Sequence, residues 1–362
     1  MNVKKVLIAS YNLGYGGIET SLINLLKNID LKKFEVTLVL EKKEGVFLSD
    51  VPSSIKLKEY RVNNNKNVFI RKSINLLKRI KWLVFNYKRY DSSVCYATYS
   101  GPCSFLARTA SNNKIMLVHS NYYEAFNKNE NKVQEFFSSV KVNDYNNIIF
   151  VSNEARYDFN KVYPHLKNKT KTINNIVDYK KIIELSEEKI DIKKPDGMTF
   201  LFVGRLDETS KRLSILLDVA KKCKDEKIKA TFWIVGNGPD EKKYKSIVNK
   251  LKLDNIIFFG SKKNPYPYMK ACNYLILTSR YEGFPVVYNE AIVLEKPIIT
   301  TIDVSDDFIT IPKRFGYVVS EENLFEKVKE LTKKEEKIKE KPDYDKLNKK
   351  RINMIEEIME CR

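Results

Sequence analysis

Histidine occurs only twice in this chain of 362 residues, at His119 and His165. A metal centre built from several imidazoles is therefore excluded, and any chemistry that needs an imidazole falls to one of these two. The cysteines Cys95, Cys103, Cys223, Cys272 and Cys361 are odd in number and scattered without a C-x-x-C pair. Neither a disulfide framework nor a zinc site is indicated. No apolar run approaches the ~20 residues that a membrane-crossing helix needs. The start, Met1 to Ser10, enters a β-like run and lacks the apolar core and small-residue cleavage site of a secretory signal. The cytosol is the expected compartment.

Acidic residues are in deficit: 46 Asp and Glu stand against 65 Lys and Arg, a net charge of +19. Such a balance favours anionic partners, whether nucleic acid, an acidic membrane surface or phosphorylated metabolites. Lysine, asparagine and isoleucine are abundant throughout, so part of the excess is compositional. The deficit is complete between Arg61 and Tyr90, which hold Arg71, Lys72, Lys78, Arg79, Lys81, Lys88 and Arg89 and no carboxylate. Ile70, Ile74, Leu77, Ile80 and Val84 recur there at helical spacing, beside Trp82 and Phe85. Two readings stay open. The helix lies on an anionic bilayer, each cation near the surface contributing ~1 kcal/mol, or its apolar face packs on a sheet and its lysines are merely solvated.

What the chain does have is a length suited to two domains and a composition, 43 % hydrophobic and 31 % charged, of a globular protein. Val6–Ser10 reads as a short buried strand, followed by Gly14, Gly16 and Gly17 and then an amphipathic run. Strand, glycine turn and helix open a doubly wound α/β domain with room for a phosphate against the first helix, although the full G-x-G-x-x-G fingerprint is missing. Further strands are expected at Phe34–Leu40, Ser93–Ala97, Ile115–Val118 and Asn147–Val151. His119 follows one of these directly, at the carboxyl end where ligands of open α/β sheets collect.

A turn cluster, Lys193 to Gly197, precedes a second α/β unit. Thr199–Val203 leads to Gly204 and Arg205, with Lys211 at the start of the next helix, so two cations sit where a diphosphate would be held. Ala230–Val235 ends at Gly236, and Ile256–Phe259 ends at Gly260 and Ser261. The Lys296–Thr301 strand is expected to close the second sheet. The strand Tyr274–Thr278 runs into Ser279-Arg-Tyr-Glu-Gly-Phe-Pro, where Glu282 and Glu290 bracket a turn. Gly283 allows close backbone approach, and Pro285 suits a first helical position. These four loops should line one sheet edge.

In this order the motifs Gly-Gly-Ile-Glu19, Phe-Val-Gly-Arg-Leu206 with Lys211, Val-Gly-Asn-Gly-Pro239, Phe259-Gly260 and Glu282-Gly-Phe-Pro-x-x-x-x-Glu290 resemble glycosyltransferase family 4. The resemblance implies a GT-B fold, in which two Rossmann-like domains with parallel sheets face each other across a cleft. The expected limits are 1–172 for an acceptor-binding domain, 173–342 for a nucleotide-sugar domain, and 343–362 for a helix returning to the first. It also implies retaining transfer of a hexose or N-acetylhexosamine from a UDP-sugar, without a metal or other cofactor, onto a lipid-linked saccharide at the inner membrane face. Arg205 and Lys211 would hold the diphosphate, and Glu290 the ribose. Glu282 with Gly283 and Phe284 would hold the donor sugar, and His119 would contact that sugar. Gly16 and Gly17 would sit against the diphosphate, while Gly204, Gly236, Gly260, Ser261 and Pro285 complete the donor loops. Three positions depart from the family pattern: Arg212 stands where glycine is usual, Ile176 follows Asn175 where glycine is usual, and Asn273 replaces an aspartate. The alternatives are an epimerase of the same fold, a sensor that binds nucleotide-sugar without catalysis, and a basic nucleic-acid-binding protein. With a nucleotide-sugar as the ligand, no nucleic acid is expected.

Overall fold

The computed structural model describes residues 3–192, 195–283, 285–302, 304–305, 310–311 and 314–361. Alternating apolar strands and amphipathic helices build two parallel sheets, because each crossover through a helix returns the chain in the same direction. The first sheet contains β1 (Lys4–Ser10), β2 (Phe34–Leu40), β3 (Lys56–Glu59), β4 (Ser92–Cys95), β5 (Asn113–Val118), β6 (Asn147–Phe150) and β7 (Thr170–Thr172), in the order β3-β2-β1-β4-β5-β6-β7. The second contains β8 (Met198–Val203), β9 (Ala230–Val235), β10 (Ile256–Gly260), β11 (Tyr274–Leu277), β12 (Ile298–Thr300) and a further strand, in the order β10-β9-β8-β11-β12-β15. A two-stranded antiparallel pair, β13 (Val304–Ser305) with β14 (Thr310–Ile311), precedes that last strand, β15 (Gly316–Val318). The expectation that Lys296–Thr301 closes the second sheet is corrected: β15 pairs with the outer side of β12.

The chain divides into one unit of Met1–Ile176 with Asp345–Arg362 and a second of Val177–Tyr344. The first unit runs a little past β7 because Ile173 and Ile176 are buried in its core with Val6, Ile8 and Leu38. Its helix α1 (Gly17–Asn28) covers one face of the sheet through Leu22, Ile23, Leu25 and Leu26. The C-terminal helix packs into the same core through Ile352, Ile355, Ile358 and Met359. The side-chain amide of Asn113 on β5 donates to the Ile358 carbonyl at 2.7 Å, which fixes that helix against the sheet.

Helix α2 (Val68–Asn86) is turned opposite to what packing on a sheet would require. Trp82 is its one buried residue, whereas Phe69 is 84 % exposed, Leu77 65 % and Phe85 60 %. The inward stripe is mostly polar and makes hydrogen bonds. Asn75 exchanges bonds with the backbone of Asn63, Lys78 donates to the Arg61 carbonyl at 2.7 Å, and the Trp82 indole donates to Thr109 at 2.9 Å. Satisfied polar groups take the inner side, so the apolar side faces out.

The second sheet is closed tightly at its carboxyl edge. Gly236 has φ +143°, and a Cβ there would meet the Gly204 carbonyl oxygen at 1.9 Å. Its amide donates to the Gly260 carbonyl at 2.9 Å, so the ends of β8, β9 and β10 are joined through glycine backbone. Gly236→Ala therefore combines a left-handed strain with a backbone clash, and a loss of more than ~1 kcal/mol is predicted. Urea denaturation of the variant checks this, and an unchanged midpoint would contradict it.

Candidate active site

In a doubly wound sheet, strands that leave in opposite directions from a reversal of order open a crevice at their carboxyl ends. In the second unit the reversal lies between β8 and β11, which are hydrogen-bonded neighbours. The residues following these two strands are the Gly204–Arg212 segment and the Thr278–Pro285 segment. Both were singled out by their sequence, and the topology sets them side by side.

Their side chains meet. Lys211 Nζ forms an ion pair with Glu282 Oε1, and the Ser279 hydroxyl donates to the same oxygen at 2.6 Å. Arg280 N–H donates to the Ser210 carbonyl at 2.8 Å, and Thr278 Oγ1 donates to the Lys211 and Arg212 carbonyls at 2.9 and 3.0 Å. The two loops are thus joined by backbone and side chain together. Arg205 stands apart from this pair. Its side chain is 70 % exposed, with Asp207 Oδ2 at 3.9 Å, so the guanidinium is available to a ligand at the same edge. Gly204 and Gly283 lie in these loops, while Phe284 falls outside the described residues.

Pro285 is the cap before helix α3 (Val286–Val293) rather than its first residue. Glu290, on that helix, is 8 % exposed. It accepts a hydrogen bond from the Tyr266 hydroxyl at 3.1 Å, and burial pushes its carboxyl up to about 7. Tyr266 carries no motif signal. It begins the short helix Tyr266–Ala271 after β10, and only the fold shows that it reaches α3. Gly260 and Ser261, at the end of β10, lie two strands from β8, roughly 10 Å along the sheet. They share the carboxyl edge but not the Lys211–Glu282 cluster, and Gly236 owes its identity to the close approach of Gly204.

In the first unit the reversal lies between β1 and β4. Gly16 precedes and Gly17 begins α1, whose start has no side-chain cap. His119 follows β5, the next strand over, and its ring packs on Tyr96 with centroids 4.5 Å apart. Its Nε2 is covered and has no hydrogen-bond partner among the described residues. Burial holds the imidazole down at about 3, so it is neutral at physiological pH and cannot act as a cation there. Tyr96 in turn shares a hydrogen bond of 2.7 Å with Ser21, which donates to Asn175 Oδ1 at 2.7 Å. Asn175, at the second departure from the family pattern, is thereby a buried link between α1 and the C-terminal helix, whose Arg351 donates to its carbonyl at 2.8 Å. Asn273 binds the Thr199 amide and Glu335 at 2.8 and 2.9 Å, so it serves the frame rather than the site.

The raised carboxyl of Glu290 has a consequence for stability. The folded chain keeps a proton that the unfolded chain releases near the ordinary value of 4.5, so Glu290 costs stability as pH rises from about 4.5 to about 7, and the cost is constant above that. Glu290→Gln cannot ionise. Its melting temperature relative to the unsubstituted chain is predicted to be more favourable at pH 8 than at pH 5, and an equal difference at both would contradict the assignment.

Residues 185–351, nearly all of the second unit and the start of the C-terminal helix, match the family described as Glycosyl transferases group 1. An uncharacterised glycosyltransferase of Methanocaldococcus jannaschii is 27 % identical over 355 residues, covering 93 % of this chain and 90 % of that protein. The N-acetylgalactosamine-N,N'-diacetylbacillosaminyl-diphospho-undecaprenol 4-alpha-N-acetylgalactosaminyltransferase of Campylobacter jejuni is 24 % identical over 312 residues, 83 % of this chain and 81 % of its own. The crystal structure of HepE from Anabaena in complex with UDP-glucose superposes with a TM-score of 0.75 at 16 % identity, over 98 % of this chain and 100 % of that one. The chain therefore has the GT-B fold, and its residues 185–351 match the Glycosyl transferases group 1 family.

Proposed function

We propose that the chain is a retaining glycosyltransferase of family 4 that moves a hexose or N-acetylhexosamine from a UDP-sugar to a lipid-linked saccharide, in the biosynthesis of a cell-surface polysaccharide such as a capsule. The observation that carries this reading is the meeting of Lys211, Glu282 and Ser279 at the switch point of the second sheet, with exposed Arg205 in the same segment as Lys211. The Campylobacter relative, whose name specifies a diphospho-undecaprenol acceptor, supports the acceptor class, and the UDP-glucose complex of HepE supports the donor class.

In this reading Arg205 and Lys211 face the diphosphate, and no metal ion is needed because these cations meet the charge that develops on it. Glu282, already held by Ser279, orients the sugar, with the Gly283 and Phe284 backbone as further contacts. The carboxylate of Glu290 accepts from the ribose hydroxyls. The bond from the anomeric carbon to the phosphate oxygen breaks as the acceptor oxygen bonds to the same face of that carbon. The departing phosphate takes the acceptor proton, and nucleoside diphosphate leaves. His119 contributes as a neutral hydrogen-bonding ring, and Gly16 and Gly17 as an uncapped helix start suited to an anion. The protein supplies orientation and fixed charge rather than a covalent partner.

The same reading places the enzyme on the cytoplasmic side, peripheral at the inner face of the cell membrane through residues 61–90. No helix among the described residues is long and apolar enough to cross a membrane. Helix α2 supports surface attachment instead: Phe69, Leu76, Leu77, Ile80, Val84 and Phe85 are exposed along it, Lys72 and Lys81 are exposed beside them, and no carboxylate opposes an anionic headgroup.

A nucleotide-sugar at a hundred times its Kd should stabilise the fold by ~2.7 kcal/mol. Arg205→Ala and Glu290→Ala are each predicted to lose most of that thermal shift, and no response to any UDP-, GDP- or ADP-sugar would contradict the reading. Because ribose hydroxyls favour the ionised form of a carboxyl pushed up to about 7, donor affinity is predicted to rise with pH through that value. Calorimetric titration at pH 6 and pH 8 checks it, and a pH-independent affinity would argue against Glu290 as the ribose partner. For the membrane, Leu77→Glu with Val84→Glu is predicted to abolish co-sedimentation with phosphatidylglycerol vesicles and to spare transfer to a soluble acceptor. Vesicle binding unchanged in that variant would overturn the α2 assignment.

A further inference from the structure

Resting on the reading of Lys211 and Glu282 as the donor's grip, we propose that Arg212 is the positioning residue that sets these two groups in register. Arg212 has φ +48°, in the left-handed region that favours glycine. A side chain kept at such a position is expected to have a use, and here it crosses to the facing loop. Nε donates to the Thr278 carbonyl at 3.1 Å and one Nη to the Ser279 carbonyl at 3.1 Å, with Thr301 Oγ1 at 3.5 Å, while the other Nη pairs with Glu321.

These acceptors decide between two roles for the charge. An arginine next to a phosphate-binding lysine could simply be an added cation for the diphosphate. The side chain is instead only 15 % exposed, its guanidinium is spread over carbonyls, a hydroxyl and a carboxylate, and the planar fork is what lets it bind several acceptors at once. Those carbonyls belong to the two residues that follow β11 and lead to Glu282. Ser279, whose carbonyl Arg212 holds, also bonds Glu282 through its hydroxyl. Thr278 answers from the opposite side, donating to the carbonyls of Lys211 and Arg212. The segment that carries Lys211 and the segment that carries Glu282 are therefore cross-braced by one residue from each.

This arrangement separates positioning from binding. Ribose is assigned to Glu290 on α3, outside the brace, so loosening the brace should lower turnover more than donor affinity. Arg212→Gly keeps a residue suited to the left-handed backbone and removes only the side chain. Arg212→Lys keeps the charge without the fork. Both are predicted to reduce kcat at least tenfold with donor KM changed less than threefold, and to raise amide hydrogen exchange at Arg280 to Glu282 at least tenfold. Thr278→Val, which keeps the volume and removes the opposing hydroxyl, should show the same signature more weakly and serves if the Arg212 variants do not fold. Full kcat in Arg212→Lys would overturn the proposal in favour of a simple cation, and unchanged exchange at Arg280 to Glu282 in Arg212→Gly would overturn it outright. If the unsubstituted chain transfers no sugar and binds no nucleotide-sugar, the functional reading fails, and the exchange measurement still decides the bracing.

Discussion

The ion pair between Lys211 and Glu282 depends on the order of strands in the second sheet. The two residues are far apart in the chain, and they meet because β8 and β11 are adjacent at the point where the order reverses. Everything local then serves that meeting. Gly236 lets the strand ends close up against Gly204, Ser279 fixes the carboxylate, and Thr278 and Arg212 tie the two loops together. In the proposed function, a positive and a negative group held in this way meet the anionic and hydroxyl parts of one ligand.

Burial divides the ionisable groups by task. Arg205 is exposed, and in the proposed function its guanidinium meets the diphosphate. The Glu290 carboxyl and the His119 Nε2 are covered, and burial moves the first up to about 7 against the Tyr266 hydrogen bond and the second down to about 3. Glu290 thus stands near its midpoint at neutral pH, where a hydroxyl-rich ligand can draw it into the charged form, while His119 is restricted to neutral hydrogen bonding. The outward apolar face of α2 follows the opposite logic, since there the polar groups are satisfied within the unit and the apolar ones are left over.

The fold was legible in the sequence because its signals are local. Glycine at strand ends, cations after β8 and the Glu282 to Glu290 spacing all sit on segments whose periodicity reads as strand, turn and helix. What was not legible depends on contacts between distant segments. Tyr266 reaches Glu290 from the start of a short helix with no motif. Arg212 stands as a departure from the family pattern, and only its φ and its four acceptors show why a side chain occupies that place. Periodicity finds the apolar stripe of α2 but cannot say which way it points, because the hydrogen bonds of Asn75, Lys78 and Trp82 that turn it outward are tertiary. The position of β15 outside β12 was missed for the same reason: order within a sheet is not written along the chain.

If the switch point of the second sheet is the donor site, diffraction from crystals grown with a UDP-sugar will place the diphosphate within hydrogen-bond distance of Lys211 Nζ and the Arg205 guanidinium, a sugar hydroxyl on Glu282 and the ribose on Glu290. Nucleotide-sugar bound elsewhere on the chain, with Lys211 and Glu282 still paired only to each other, would contradict it.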